Sequence, residues 1–230
     1  MKGGCYIDGT ETFEHNRILV WGALGTGRLA IDLVRRRGGE VIGVVDSAGS
    51  DVTDVAGAPF LGQPKIVSDF LLGFDREMLR TLGGIVAFAG HQGRARLRAQ
   101  ESLKSMGLPV ISCVDDRSHI LGAVDIKEGC LVFGGAVLGP DVQLGNGVIV
   151  NQGASVGHDC VLGAGSHVAN GAVISGYVKL GVNVLIGAGS VILPRLSIGD
   201  DAVIGAGSVV TRSVGPNITV AGNPARALNA

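Results

Sequence analysis

The sequence predicts a two-part chain, a small parallel-sheet α/β domain followed by a parallel β-helix, on three observations. A six-residue aliphatic period runs unbroken from Ile126 to Val210. Ahead of it, between Arg17 and Asp46, a buried-strand pattern leads through a glycine-rich turn into a helix and a second strand. Charge also divides unevenly, with 14 basic and 14 acidic side chains in residues 1–124 but only five and six in residues 125–230. We therefore expect a polar extension at 1–16, a Rossmann-like domain at 17–117 and the β-helix at 118–230.

Composition narrows the possibilities. With 39 glycines the chain looks like low complexity, yet 46% of its residues are hydrophobic, which excludes disorder. Only 4% are aromatic, so the core must come from Val, Ile, Leu and Ala. A net charge of −1 offers no field to hold nucleic acid or an anionic membrane. There is no apolar run long enough to span a bilayer, and the first residues lack the apolar stretch of a secretory leader. Cys5, Cys113, Cys130 and Cys160 form no C-x-x-C pair, so reduced thiols and a cytoplasmic location are expected.

The elements of the amino-terminal domain follow in order. Residues 17–22 (RILVWG) read as a strand, the turn carries Gly22, Gly25 and Gly27, and a helix occupies 28–37. Residues 40–45 (EVIGVV) form a second strand ending at Asp46. Residues 60–72 read as a loop into a short helix, 84–89 (GIVAFA) as a strand, 93–106 as a helix and 109–114 (PVISCV) as the fourth parallel strand. The glycine order is G-x-x-G-x-G, not the dinucleotide fingerprint G-x-G-x-x-G, so a turn cradling a phosphate or sugar at a helix N-terminus is the better reading. Arg94, Arg96 and Arg98 read as a solvated helix face.

The repeat dictates the second part. Fifteen positions six apart, from Ile126 through Val156, Ile174 and Ile192 to Val210, are all Ile, Leu or Val, and the position four after each is small or aliphatic. A unit of one short strand and one turn cannot bury its aliphatic side chain alone, but stacked units can. Three units make a triangular coil of 18 residues, so residues 126–215 give five coils rising about 4.8 Å each. Cys130 and Cys160 occupy the small inward position and read as packing.

Phase then sorts the histidines. His15 lies in the extension, His91 ends a strand and His119 begins the β-helix as a cap or turn residue. His158 follows inward Val156 by two and faces outward, and His167 sits at a turn. An outward imidazole on a nearly uncharged prism is a candidate general base. Stacking by 18 places Gly176 beside His158, leaving room for a substrate and an N–H for a developing oxyanion. The alternative is that Gly176 only serves a turn that needs positive φ.

The motifs Gly22-Ala-Leu-Gly-Thr-Gly-Arg28, Asp46, Asn151-Gln-Gly-Ala-Ser-Val-Gly-His-Asp159, His167, Gly176 and Val220-Ala-Gly-Asn-Pro-Ala-Arg226 resemble the sialic-acid-O-acetyltransferase-like family of hexapeptide-repeat sugar acetyltransferases. The resemblance covers about residues 17–228. It implies a left-handed coil, a homotrimer with the active site between prisms, and transfer from acetyl-CoA without a metal. The acceptor it implies is the 4-amino group of a UDP- or GDP-linked sugar, as in the bacillosamine and perosamine pathways, or alternatively a hydroxyl of sialic acid or another sugar. By resemblance, His158 is the base and Asp159 its support. Asn151, His167, Gly176, Ala188, Gly205 and Ala206 contact acetyl-CoA, while Gly22, Gly25, Thr26, Gly27 and Asp46 hold the nucleotide-sugar. Adjacent side chains of an extended strand point opposite ways, so Asp159 reaches its neighbour's ring only if the turn brings it round. Thr26 replaces a histidine frequent in the family's glycine loop, and Ser47 stands where an acid or lysine is frequent, which leaves the nucleotide open. Two other classes compete: a zinc enzyme like the gamma-type carbonic anhydrases, which needs three converging histidines, and a non-catalytic nucleotide- or nicotinamide-binding module on a trimerising β-helix.

Overall fold

The computed structural model describes residues 15–47 and 53–228, so the expected extension lies almost wholly outside the described residues. Strand β1 (Arg17–Trp21) is followed by α1 (Gly25–Arg36), β2 (Glu40–Val45), the short β3 (Asp54–Val55), β4 (Ala58–Gly62), α2 (Val67–Leu71), α3 (Arg76–Arg80), β5 (Leu82–Val86) and α4 (Gly93–Ser105). The sheet order is β3-β4-β2-β1-β5, parallel except for the β3–β4 hairpin. Both faces are covered by helices and by the prism, which is why β1 and β5 are near-continuous apolar runs.

Two elements differ from the sequence reading. Residues 58–62 form a strand rather than a loop; the Pro59 and Gly62 that disguise it sit in a short outer hairpin, where β4 needs few ladder bonds. Conversely, 109–114 is not the fourth strand of this sheet. Val110 makes a single bridge to Gly84, and β6 (Cys113–Val114) pairs with Leu131–Val132 as the first rung of the β-helix. The prism therefore begins two six-residue units before Ile126, with its first rung ahead of the expected boundary at 118.

The β-helix has three sheets, of six, five and eight strands. Pairings advance by 18 residues on every face, as in Val137↔Ser155, Val161↔Lys179 and His167↔Leu185. All fifteen repeat positions lie in one buried core, together with Cys130 and Cys160. Of the small positions only Leu196 and Val214, near the carboxy-terminal end, are partly exposed. His119 starts the first strand of the six-stranded sheet rather than a turn. The last coil shortens, pairing Val203 with Thr219, and an antiparallel hairpin from Thr219 to Ala227 covers the open edge.

The three faces have different fates. The eight-stranded face is docked against the α/β domain: its outward Leu131 and Ile149 share a core with Ile18, Ile31 and Ile111. The five-stranded face presents Asp125, Gln143, Val161, Lys179 and Ser197 outward. The six-stranded face presents Val137, Ser155, Val173, Val191 and Val209, and Val173 is 40% exposed.

Docking also corrects the reading of the arginine run. Arg94 pairs with Asp201 on the prism. Arg96 is fully buried and donates to the carbonyls of Phe88 at 2.7 Å, Gly147 at 2.8 Å and Gly165 at 2.6 Å. Burial pushes its guanidinium down to about 10, so it stays charged at neutral pH and is held by carbonyl dipoles rather than a carboxylate.

Candidate active site

Outward residues that the sequence proposed for one site fall on three places. The first is the vertex between the six- and five-stranded faces, where the turn after Val156 carries His158 and Asp159. Asp159 adopts a left-handed φ of 58°, which brings its carboxylate round to the ring: Oδ2 lies 2.8 Å from His158 Nδ1. A carboxylate can only accept, so the imidazole proton resides on Nδ1 and the free lone pair on Nε2. This is the tautomer a general base needs.

Gly176 lies one coil above. A Cβ there would stand 2.6 Å from His158 Nε2 and 2.8 Å from Cε1. Its φ is not positive, so a turn requirement does not explain the glycine. The expected gap for substrate is corrected in one respect, because the imidazole itself lies in it. The Gly176 amide has no hydrogen-bond acceptor among the described residues.

The second place is the vertex between the docked and six-stranded faces. Asn151, Ala188, Gly205 and Ala206 rise along it, with Ala188 and Ala206 exposed one coil apart. His167 stands on the docked face leading into this vertex and is 5% exposed. Its Nδ1 accepts from the Gly90 N–H at 3.0 Å, so Nε2 carries the hydrogen, yet that atom is buried without a partner. Asn151 Oδ1 is likewise buried and unpartnered. One orphaned donor and one orphaned acceptor thus lie buried beside this vertex, an exception to the usual pairing of buried polar groups.

Burial first, and the charge of Arg96 second, push His167 down from 6.5 to about 4. Between those pH values the unfolded chain binds a proton that the folded chain refuses. Stability should be complete above pH 6.5 and decline as pH falls toward 4, by up to about 3 kcal/mol. Urea denaturation across this range should show the slope, and His167→Asn should flatten it. An unaltered slope in that variant would assign the acid sensitivity to another group.

The third place is a cleft of about 600 Å³ in the α/β domain, lined by Trp21, Gly22, Gly25, Thr26, Asp46 and Arg98 among others. Gly22 (φ 135°) and Gly27 are fixed by close approach: a Cβ on Gly27 would sit 1.9 Å from the Gly22 carbonyl oxygen. Gly25 lines the cleft and has nothing within 4 Å of its missing Cβ. Asp46 Oδ2 accepts from the Ala23 N–H at 2.7 Å and braces the turn. Helix α1 begins without a side-chain cap or an acidic residue in its first turn, leaving its N–H groups and positive dipole end for an anion. Arg98, which the sequence reading passed over, is the cation of this cleft, and it makes no ion pair among the described residues.

Within one chain, then, His158 and Gly176 meet, but His167 and the Asn151 column do not join them. The six-stranded face separates the two vertices, and His167 lies on the face opposite the His158 vertex.

Residues 177–212 match the bacterial transferase hexapeptide (six repeats) family, and residues 135–170 match the hexapeptide repeat of succinyl-transferase. Comparison with curated protein sequences returns no match. Among solved structures, a histidine-to-asparagine variant of perosamine N-acetyltransferase from Caulobacter crescentus, in complex with CoA and GDP-perosamine, superposes with a TM-score of 0.84 at 26% identity over 93% of this chain and 97% of that one. The acetyltransferase domain of PglB from Neisseria gonorrhoeae, in complex with acetyl coenzyme A, gives 0.81 at 28% identity over 93% and 99%. WeeI from Acinetobacter baumannii gives 0.81 at 29% identity over 92% and 99%. These likenesses span both domains and bear out the expected fold class, an α/β domain followed by a left-handed parallel β-helix.

Proposed function

This chain belongs to the hexapeptide-repeat sugar acetyltransferases, and from that premise we propose that it moves the acetyl group of acetyl-CoA to the 4-amino group of a nucleotide-linked sugar, with His158 as general base. The observation that carries the reading is the His158 constellation: Nδ1 engaged by Asp159, Nε2 without a hydrogen bond, and the ring occupying the space that a side chain at Gly176 would take.

The amine attacks the thioester carbon while Nε2 accepts its proton. The carbonyl oxygen, now an oxyanion, takes the free Gly176 N–H, and His167 Nε2–H and Asn151 Oδ1 hold the arm of the donor. The C–S bond breaks, and the imidazolium returns its proton to the leaving sulfur. No acyl-enzyme forms on the three cysteines of the described residues. Burial pushes Cys113 and Cys130 up to about 12 and raises Cys160 as well, so none is an available thiolate.

Base and donor column lie on different vertices, so a complete site takes one from each of two chains. The uncovered six-stranded face, with its row of valines, is the surface that brings the second chain there, and three copies related head to tail close the ring as a homotrimer. No helix among the described residues is long and apolar enough to cross a membrane.

The uncapped α1 terminus and Arg98 favour an acceptor carrying a diphosphate over a free sugar. The test is release of CoA thiol from acetyl-CoA, with UDP- and GDP-linked 4-amino sugars compared with the free amino sugars and sialic acid. We expect turnover with a nucleotide-linked amine and at least ~100-fold lower kcat/KM without the nucleotide, the scale of losing two charge-assisted contacts. Equal rates with free sialic acid would replace the proposal with hydroxyl transfer.

A further inference from the structure

The vertex that carries His158 differs from the other two in its turn residues. Each coil places one residue per corner in the left-handed region, where a side chain other than that of Gly, Asn or Asp is strained. At one of the other corners every such residue is glycine: Gly135, Gly153, Gly171, Gly189 and Gly207. At the next they are Gly129, Gly147, Gly165, Asn183, Asp201 and Asn217. At the His158 corner the column reads Gly122, Asp141, Asp159, Tyr177, Arg195, with φ of 75°, 61°, 58°, 63° and 63°. Tyr177 and Arg195 are the only bulky side chains held this way in the described part of the prism, and they stand one and two coils above Asp159, beside the base.

Their contacts show what the strain maintains. The Tyr177 N–H donates to the His158 carbonyl at 2.9 Å, and the two rings meet edge to face, 5.1 Å between centroids at 87°. The Arg195 guanidinium lies 4.5 Å over the phenol ring. Tyr177 is 44% exposed, so burial does not account for a tyrosine there. His158 is itself open to solvent and has one hydrogen bond, from Nδ1 to Asp159. That bond is the one side-chain hydrogen bond restraining the ring, and it leaves the Nε2 edge to be placed by packing. Gly176 supplies a floor and Tyr177 a wall.

We propose that Tyr177 is a positioning residue, retained against backbone strain to hold the His158 imidazole with Nε2 facing the acceptor, and that Arg195 pins the phenol ring in that role. This rests on His158 being the base. Removal of such a wall misplaces the base without deleting it, and displacements of about 1 Å cost on the order of 10²-fold in rate.

The test is a double-mutant cycle with melting temperatures. Tyr177→Gly relieves the φ strain, so Tm should hold or rise by about 2 °C. Its kcat should fall ten-fold or more, with KM for acetyl-CoA unchanged, and Tyr177→Phe should retain most of the wild-type rate. In a His158→Ala background Tyr177→Gly should cost nothing further, because it acts only through the imidazole. A Tyr177→Gly protein with full activity overturns the proposal. So does one that loses activity together with Tm, an equal loss in both backgrounds, or a failure of Tyr177→Phe, which would assign the role to the hydroxyl. Failure of the general-base reading shows up separately, as an active His158→Ala single variant.

Discussion

His158→Ala is expected to lower kcat by about 10²–10⁴-fold, the usual worth of a general base, while leaving acetyl-CoA affinity, trimer assembly and Tm close to wild type. The side chain is outside the core and its one hydrogen bond goes to a neighbouring surface carboxylate, so its removal leaves no cavity and no buried orphan. The residual rate would come from the donor groove and the Gly176 amide, which still orient the thioester. Steady-state thiol release at saturating substrates reads the effect. A variant that keeps more than about a third of the wild-type kcat contradicts the assignment, because no group with base-level leverage could be removed so cheaply.

Much of the architecture is legible because the repeat is physical. One inward aliphatic in every six residues can be satisfied only by stacked short strands, and the step of 18 by itself places Gly176 over His158. The same period also runs backwards through Ile120 to Val114, which lies in the prism core. The polar stretch from Asp115 to His119 interrupts the apolar appearance there, and residues 109–114 look like a sheet strand in consequence.

Other features depend on tertiary placement. Alternation along a strand sends Asp159 away from His158; only the left-handed turn residue reverses it. The arginines at 94, 96 and 98 are spaced by two on a helix of 3.6 residues per turn, which turns the middle one about 160° from its neighbours. That geometry buries Arg96 and leaves Arg98 in the cleft, a separation that a solvated-face reading overlooks. Pairing Gly90 with His167 required knowing how the two domains dock. Equally, Tyr177 carries no motif, and only its φ among the glycines and asparagines of the other corners sets it apart.

The central claim is that each active site combines the His158 vertex of one chain with the His167 and Asn151 column of another. Two variants, His158→Ala and His167→Asn, should each be nearly inactive as homotrimers. When the two are unfolded, mixed in equal amounts and refolded together, random assembly puts both chains into about three-quarters of trimers. In a head-to-tail ring every mixed trimer then has one site in three with both histidines intact, for about a quarter of wild-type activity. Activity rising from near zero to about that level is the result this account predicts. Mixed trimers that form, as shown by a size tag on one variant, yet stay as inactive as their parents would place both histidines in a site within one chain and contradict it.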